Sequence, residues 1–186
     1  MDETFDVVWL GRGGQGAVTA ALLLAQAAVL EGYYALAIPF FGAERRGAPV
    51  FAYNRISRDR VLSRVRVRQG DVVAVLDTTL LGVVQVPSLL KPRGVVVVNS
   101  PGMPEELRNV AGERYCVDAQ GIAVKLGLRL AGIPLVNMPM AGAVARVAGL
   151  TSLEKVLEAT KLHIRTRVDE NLEAVKRGWE LVERCG

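Results

Sequence analysis

The chain has 186 residues, of which 51% are hydrophobic and 23% are charged, and its formal net charge is +4. This size and composition predict a single globular domain over residues 1–186 with a substantial core. They exclude a membrane span, because the longest apolar stretch, residues 17–30, is shorter than the roughly 20 residues that cross a bilayer. The acidic start of the chain does not fit a signal peptide, so we expect a cytoplasmic protein. Aromatic residues are only 5% and do not interleave with the basic ones, which argues against nucleic-acid binding.

Short apolar runs alternate with helical segments over most of the chain, and the last third is helical. This order predicts an α/β fold: a three-layer, doubly wound, mostly parallel sheet of the Rossmann-like kind with a helical C-terminal region. Pro39 should end the second strand, and Ser152 should cap a helix. We expect strands at residues 5–10, 33–38, 50–57, 71–77, 94–99 and 114–118, helical turns at 79–90, a short strand or connector at 61–67, and helices at about 15–31, 120–131, 140–150, after 152 and 168–183.

A glycine-rich loop joins the first predicted strand to the first predicted helix. It reads Gly11-Arg12-Gly13-Gly14-Gln15-Gly16 and fits the pattern G-x-G-x-x-G. In this position the glycines permit a tight turn and a close approach of backbone to a phosphate, while the N–H groups and dipole of the helix favour an anion. The loop therefore predicts a phosphate site at the start of the helix.

A nicotinamide dinucleotide site also needs an acidic residue about 20 residues further on, for the ribose hydroxyls. Here the second strand leads into Phe40, Phe41 and Gly42, and the first acid is Glu44. The missing acid argues against a nicotinamide site. A free-standing nicotinamide or flavin oxidoreductase stays open as an alternative, and so does an interaction module whose glycine loop holds no ligand.

A second motif, residues 41–49, should open beside the glycine loop at the carboxyl edge of the sheet, where ligands of open α/β sheets bind. Its charged residues Glu44, Arg45 and Arg46 lie between Gly42 and Gly47. Adjacent arginines suit a polyphosphate, because each guanidinium can donate two hydrogen bonds at once. The alternative is a solvated charged turn.

The two cysteines, Cys116 and Cys185, are isolated in the sequence. Without C-x-x-C spacing we expect no iron–sulfur cluster, zinc or other metal in this chain. A disulfide between them is an alternative that a cytoplasmic location disfavours, and Cys116 is interpreted as a small buried hydrophobe rather than a reactive thiol. The single histidine, His163, has no partner for catalysis and is expected on the surface or in packing.

The two loops together resemble the signatures of the gamma subunit of pyruvate:ferredoxin oxidoreductase and related 2-oxoacid:acceptor oxidoreductases. Residues 137–143, 152–154, Asn171 and residues 176–178 also match, so the resemblance covers almost the whole chain. One departure is Ala43, where many relatives have proline. The second motif favours the pyruvate or 2-ketoisovalerate group of this family but does not choose between those substrates.

The resemblance implies a gamma subunit that is inactive when isolated and contributes coenzyme A binding and subunit assembly to the oxidative decarboxylation of a 2-oxoacid to acyl-CoA. Thiamine diphosphate and iron–sulfur clusters would lie on partner chains, the alpha, beta and ferredoxin-like delta subunits. A homodimer of the isolated chain is left open. No catalytic residue is assigned to this chain, and the residues assigned to coenzyme A are Gly11, Arg12, Gly13, Gly14, Gln15, Gly16, Gly42, Glu44, Arg45, Arg46 and Gly47.

Several side chains have two interpretations from the sequence. Arg12 could reach a phosphate or lie at a subunit interface, and Gln15 could contact a ligand or cap the helix. Asp77, at the end of a strand, could line the cleft or cap the next helical turn. The resemblance alone places Asn137 and Met140 against the catalytic partner subunits.

Overall fold

The computed structural model of the chain describes residues 4–40, 48–60 and 63–186. Within these ranges the strands are β1 (Phe5–Arg12), β2 (Tyr34–Phe40), β3 (Pro49–Ser57), β4 (Gly70–Val75), β5 (Leu90–Asn99), β6 (Arg114–Val117), β7 (Arg129–Leu130), β8 (Ile133–Pro134) and β9 (Glu183–Arg184). The α-helices are α1 (Ala17–Leu30), α2 (Ala119–Lys125), α3 (Asn137–Ala148), α4 (Leu153–His163) and α5 (Val168–Leu181).

Seven strands form one sheet in the order β2-β3-β1-β4-β5-β6-β9, and β7 pairs with β8 in a separate ribbon. The strands β1, β4, β5 and β6 are parallel to one another, whereas β2, β3 and β9 add antiparallel pairings at the two edges. Strand β1 is buried from Asp6 to Gly11, as is usual for a parallel strand covered on both faces. The expected α/β fold class is confirmed.

The two faces of the sheet are covered differently. On one face, side chains such as Trp9 and Val97 pack with residues of all five α-helices. On the other face, Leu10 and Val98 pack with Leu80 and other residues of short 3₁₀ turns. The helical turns expected between residues 79 and 90 are therefore present, but as 3₁₀ turns that form the third layer.

Helices α3 and α5 cross at two glycines. A Cβ atom placed on Gly142 would lie 2.0 Å from the carbonyl oxygen of Val175, and one placed on Gly178 would lie 1.9 Å from the carbonyl oxygen of Pro139. Each glycine thus lets the backbone of the other helix approach it directly. The crossing fixes α3, whose first turn borders the candidate site described below.

Two expected element boundaries are wrong. Pro39 does not end β2, which continues to Phe40 with Pro39 opposite Ala52. The strand tolerates proline because β2 is an edge strand, where a missing N–H costs little. The helix expected at residues 120–131 ends at Lys125, and a tight ribbon of β7 and β8 follows. No strand forms at residues 63–67, while residues 61–62 lie outside the described ranges.

The structure changes two expectations about single side chains: the disfavoured disulfide is present, and Met140 is buried. Cys116 and Cys185 form a disulfide, with their Cα atoms 5.8 Å apart. They are 69 residues apart in the chain, and only the pairing of β6 with β9 brings them together. Met140 is 0% exposed, so it packs in the core of this chain and cannot lie against a partner subunit. His163 is exposed.

Candidate functional site

The glycine loop connects the end of β1 to the start of α1, and two of its positions require glycine. Gly14 and Gly16 have φ angles of 88° and 81°, in the left-handed region that favours glycine. Gly16 is also pressed against α3, because a Cβ there would lie 2.6 Å from Nδ2 of Asn137. Gly13 is different: it is exposed, and a Cβ there would meet no atom within 4 Å. The loop therefore presents open backbone at Gly13.

Side chains of the loop bind to the turn that follows the neighbouring strand β4. Nε2 of Gln15 donates to Asp77 Oδ2 at 2.8 Å, and Oε1 of Gln15 accepts from the backbone N–H of Arg12 at 2.7 Å. The Arg12 guanidinium donates to Oγ1 of Thr79 at 2.8 Å and 3.1 Å, and its Nε lies 3.4 Å from Asp77 Oδ2. Gln15 therefore holds the loop to β4 instead of capping α1.

Asp77 is the centre of this network. Its Oδ1 accepts from the backbone N–H of Thr79 at 2.9 Å and from the Thr79 hydroxyl, so the expected cap is confirmed. Burial raises the pKa of Asp77, but hydrogen bonds from Thr79 and Gln15 and the charge of Arg12 outweigh it, so the pKa lies below the usual 3.8. Asp77 is consequently ionised at neutral pH and pairs with Arg12 as a full charge.

Beside the loop lies a groove of about 550 Å³, lined by Gly13, Gly14 and Gly16 among others. The first turns of three helices border it, through residues 17–19 of α1, residues 137–138 of α3, and Asn171 of α5. None of these helices has a side-chain cap, and α1 and α3 have no acidic residue in the first turn. The unpaired N–H groups and dipoles of α1 and α3 therefore favour an anion in this groove.

Asn137 supplies a second, independent feature of the groove. It is 6% exposed, its side chain lies against Gly16, and its Oδ1 has no hydrogen-bond partner. A buried polar atom without a partner is costly and uncommon in folded proteins. A ligand that donates a hydrogen bond here would remove that cost. The sequence had identified Asn137 only through a family resemblance, and only as an interface residue.

A second cavity, of about 440 Å³, lies at the carboxyl ends of β4, β5 and β6 and is lined by Gln15, Asp77, Asn99 and Asp118 among others. Its polar side chains mostly brace the backbone. Nδ2 of Asn99 donates to the carbonyl oxygen of Leu76 at 2.9 Å, and its Oδ1 accepts from the N–H of Gln120 at 3.0 Å. This cavity therefore borders the glycine loop where Arg12 and Gln15 contact the turn after β4.

The predicted site residues fall into two groups. The structure brings together the glycine loop, Asp77 and Asn137 at one edge of the sheet. Pro49, at the end of the second motif, pairs with Arg12, so that motif re-enters the described structure beside the glycine loop. Gly42, Glu44, Arg45, Arg46 and Gly47 lie outside the described residues.

Within residues 4–40, 48–60 and 63–186, no helix is both long enough and apolar enough to cross a membrane. In the same part of the chain, no group of three or more His, Cys, Asp or Glu side chains is arranged to hold a metal ion.

Comparison with known proteins decides the family. The profile of the pyruvate ferredoxin/flavodoxin oxidoreductase family matches residues 6–181. The chain belongs to this family. Within the family it is similar to gamma subunits: it is 43% identical to the pyruvate/ketoisovalerate oxidoreductases common subunit gamma of Pyrococcus furiosus, over 96% of this chain and 97% of that protein. It is 45% identical to pyruvate synthase subunit PorC of Methanothermobacter thermautotrophicus, over 94% and 93% of the two chains.

Solved structures share the fold of this chain. The pyruvate oxidoreductase subunit PORC of Thermotoga maritima is 36% identical and superposes with a TM-score of 0.81, covering 99% of both chains. The 2-oxoglutarate:ferredoxin oxidoreductase of Magnetococcus marinus, solved with coenzyme A and succinyl-CoA bound, is only 19% identical. It has a TM-score of 0.75 and covers 96% of this chain but 31% of its own, which shows that the same fold occurs within a longer chain.

Proposed function

We propose that this chain is the gamma subunit of a multisubunit 2-oxoacid:ferredoxin oxidoreductase, and that it holds the phosphates of coenzyme A at the glycine loop and helps to assemble the complex. The observation that carries the proposal is the groove beside Gly13, where α1 and α3 direct uncapped N-termini and Asn137 has an unpaired oxygen. Coenzyme A has a diphosphate and a 3′-phosphate, and its pantetheine arm has amide N–H donors. The residues present therefore fit it.

When bound, coenzyme A supplies the thiol that receives the acyl group. The part of this chain is to bind and orient it. Backbone N–H groups of the loop and of the first turn of α1, other than that of Gln15, which donates to the carbonyl of Arg12, would hold a phosphate. Arg12, Arg45 and Arg46 would add positive charge. The apolar lining of the groove, which includes Leu130 and Ile164, suits the hydrocarbon part of the pantetheine arm. The fold neighbour from Magnetococcus marinus that was solved with coenzyme A agrees with this use of the fold.

The remaining cofactors belong to the proposed partner chains. Thiamine diphosphate and iron–sulfur clusters would be carried by alpha, beta and delta subunits. An iron–sulfur cluster needs several thiolates, and the two cysteines of this chain bond to each other. The oxoacid would be pyruvate, 2-ketoisovalerate or a related acid.

The coenzyme A role can be tested by calorimetric titration of coenzyme A into the purified chain and into the complex isolated with it. Gly13→Val places a side chain in open space, where the proposed phosphate would lie. We expect binding at least 10-fold weaker than wild type with little change in thermal stability. Arg45→Ala should also weaken binding. Gly82→Ala is the matched control, because Gly82 too is exposed with no atom within 4 Å of an added Cβ.

The same titrations discriminate the alternatives. Equal affinity of wild type and Gly13→Val for coenzyme A would overturn the proposed site. Saturable binding of NAD(P)H, or a bound flavin, would favour a free-standing oxidoreductase instead. Stable complex formation without affinity for coenzyme A, nucleotides or phosphate would favour an interaction module whose glycine loop holds no ligand.

The assembly role rests on the ribbon of β7 and β8, which lies beside the groove. Its side chains Leu130 and Ile133 are 59% and 48% exposed, although both are large and apolar. Burial against a partner subunit would remove this apolar surface from water. Ile133→Asp, at a residue of the ribbon that does not line the groove, should reduce co-purification of the thiamine-binding chains, whereas Val83→Asp, at a residue 67% exposed on the 3₁₀ side of the sheet, should not. Equal recovery of the partner chains with both variants would remove the assembly role from the ribbon.

A further inference from the structure

The connection between β3 and β4 carries a positive charge that the rest of the chain balances elsewhere. Residues 58–68, called here the arginine segment, contain five arginines and one acid, so their formal charge of +4 equals the net charge of the whole chain. The five arginines are all exposed: Arg58, Arg60, Arg64, Arg66 and Arg68. None of them forms an ion pair with a described residue. A concentration of unpaired charge of one sign favours an anionic partner.

The second half of the arginine segment is fixed to the sheet, although residues 63–68 form no helix or strand. The side chain of Val67 is buried. Nη1 of Arg55, on β3, donates to the carbonyl oxygens of Ser63 and Val65 at 3.3 Å and 3.4 Å. A surface that is ordered before a partner arrives loses less conformational entropy when it binds.

Arg66 lies over a group of aromatic rings at the ends of β2 and β3. Its Nε donates to the Tyr53 hydroxyl at 2.9 Å. Its guanidinium carbon lies 4.8 Å from the ring centre of Phe40 and 5.7 Å from that of Phe51. Within the described part of the chain, Nη1 and Nη2 of Arg66 have no hydrogen-bond acceptor. In this orientation the two groups can bind both oxygens of a carboxylate at once.

We propose that the arginine segment docks an acidic segment of a partner chain of the complex, and that Arg66 binds a carboxylate at its centre. The inference rests on the proposed function, because that function supplies the partner chains. Val65 and Phe40, which are 71% and 38% exposed, place apolar surface beside Arg66, and protein interfaces combine arginine anchors with apolar contacts. A nucleic acid fits less well, because the guanidinium lies over the rings on which bases would otherwise stack.

The test is the affinity of this chain for the thiamine-binding chains, measured by reconstituting the complex from purified subunits at about 0.1 M and 0.5 M NaCl. We expect Arg66→Glu to weaken association about 10-fold or more at the lower salt concentration. Arg64→Glu should weaken it about 3- to 5-fold. Both losses should shrink at the higher salt concentration, because salt screens exposed charges. Lys161→Glu, which makes the same change of charge at an exposed residue of α4, should match wild type.

Thermal unfolding verifies that each variant folds, and Arg64→Glu removes no hydrogen bond or ion pair seen among the described residues. Association of Arg64→Glu and Arg66→Glu equal to wild type overturns the docking surface, and so does an equal loss with Lys161→Glu. A loss that is confined to Arg66→Glu and independent of salt assigns Arg66 to the fold and overturns it as well. Binding of single-stranded RNA or of phosphatidylserine vesicles that Arg66→Glu abolishes, with normal association of the subunits, overturns the acidic protein as the partner.

Titration of coenzyme A into the same variants separates this inference from the proposed coenzyme A site. Unchanged affinity for coenzyme A together with weakened association supports the docking surface. Equal weakening of coenzyme A binding assigns the arginines to the coenzyme A site and overturns it. If wild type does not bind coenzyme A but the salt-dependent losses are observed, the coenzyme A role alone fails. If wild type does not associate with the thiamine-binding chains, the assembly role and this inference fail together.

Discussion

Alanine at Gly16 should destabilise the chain, whereas alanine at Gly13, three residues earlier in the same loop, should not. Gly16 has a φ of 81° and lies against Asn137. Gly13 is exposed, and an added Cβ there meets nothing within 4 Å. Two glycines of one motif are thus under different constraints, one from the protein and one from the proposed ligand.

The expected cost at Gly16 has two parts. A left-handed backbone at a residue with a Cβ costs roughly 1–2 kcal/mol. The new Cβ would also lie 2.6–2.9 Å from Nδ2, Cγ and Cβ of Asn137, and overpacking of this kind costs roughly 1–3 kcal/mol. Because Cβ of Asn137 is fixed to the first turn of α3, the overlap cannot be relieved by rotating the side chain alone. We therefore expect Gly16→Ala to lower the free energy of unfolding by about 2–5 kcal/mol.

The assay is equilibrium unfolding in guanidinium chloride for wild type, Gly13→Ala, Gly16→Ala, Asn137→Ala and the double variant Gly16→Ala/Asn137→Ala. The double variant keeps the backbone strain and the 2.9 Å approach to Cβ of residue 137, but it removes the contacts with Nδ2 and Cγ. It should therefore recover part of the overpacking cost, about 1 kcal/mol relative to the sum of the single changes. Gly13→Ala should stay within roughly 0.5 kcal/mol of wild type.

Equal free energies of unfolding for Gly16→Ala and Gly13→Ala would contradict this prediction. The two positions would then not differ in backbone conformation or in the room for an added Cβ. If Gly16→Ala is destabilised but the double variant recovers nothing, the contact with Asn137 is not the cause and only the backbone part of the account survives.

Three further outcomes follow from the fold. Gly178→Ala forces a Cβ to 1.9 Å from a carbonyl oxygen of α3, so it should lower the free energy of unfolding in guanidinium chloride by about 3 kcal/mol or more. Gly82→Ala should leave this free energy nearly unchanged, and equal effects of the two variants would contradict the described helix crossing. Reduction of the Cys116–Cys185 bond, which spans 69 residues, should lower stability by about 4 kcal/mol, and two titratable thiols in the unreduced native chain would contradict the pairing. Because the pKa of Asp77 is lowered on folding, its charge contributes stability that is present above about pH 4 and is lost as the pH falls through the folded pKa. The difference in free energy of unfolding between wild type and Asp77→Asn should therefore shrink in acid. A constant difference down to about pH 2 would argue against the lowered pKa.

The fold class could be predicted because each buried strand carries its own signal. Runs such as residues 94–98 are apolar without alternation, which is typical of strands covered on both faces, and glycines or polar residues bound them. The boundaries that were wrong depend on tertiary context. Pro39 is compatible with a strand only because β2 lies at the sheet edge, and the edge position is not visible in the local sequence.

The glycine loop could be predicted from its spacing, but its surroundings could not. Asp77 lies 62 residues from Gln15, and Asn137 lies 121 residues from Gly16; only the sheet topology brings them together. The disulfide was disfavoured because a cytoplasmic protein was expected, and cysteines 69 residues apart give no local pattern that would argue for it. Asp77 itself could be identified from the sequence, because a carboxylate at the end of a buried parallel strand is expected at the ligand-binding edge of the sheet; its hydrogen bond to Gln15 could not.

The bond between Cys116 and Cys185 closes a covalent ring that contains the segment from α2 to β9. Helices α3 and α5, which cross at their glycines and border the groove, both lie inside this ring, while α1 and the glycine loop lie outside it. A single break in the backbone within the ring, for example between α4 and α5, leaves its two ends joined through the sulfur atoms. The wall of the groove that faces the glycine loop is thus held to the sheet by two connections, the backbone and the disulfide, so one cut cannot release it.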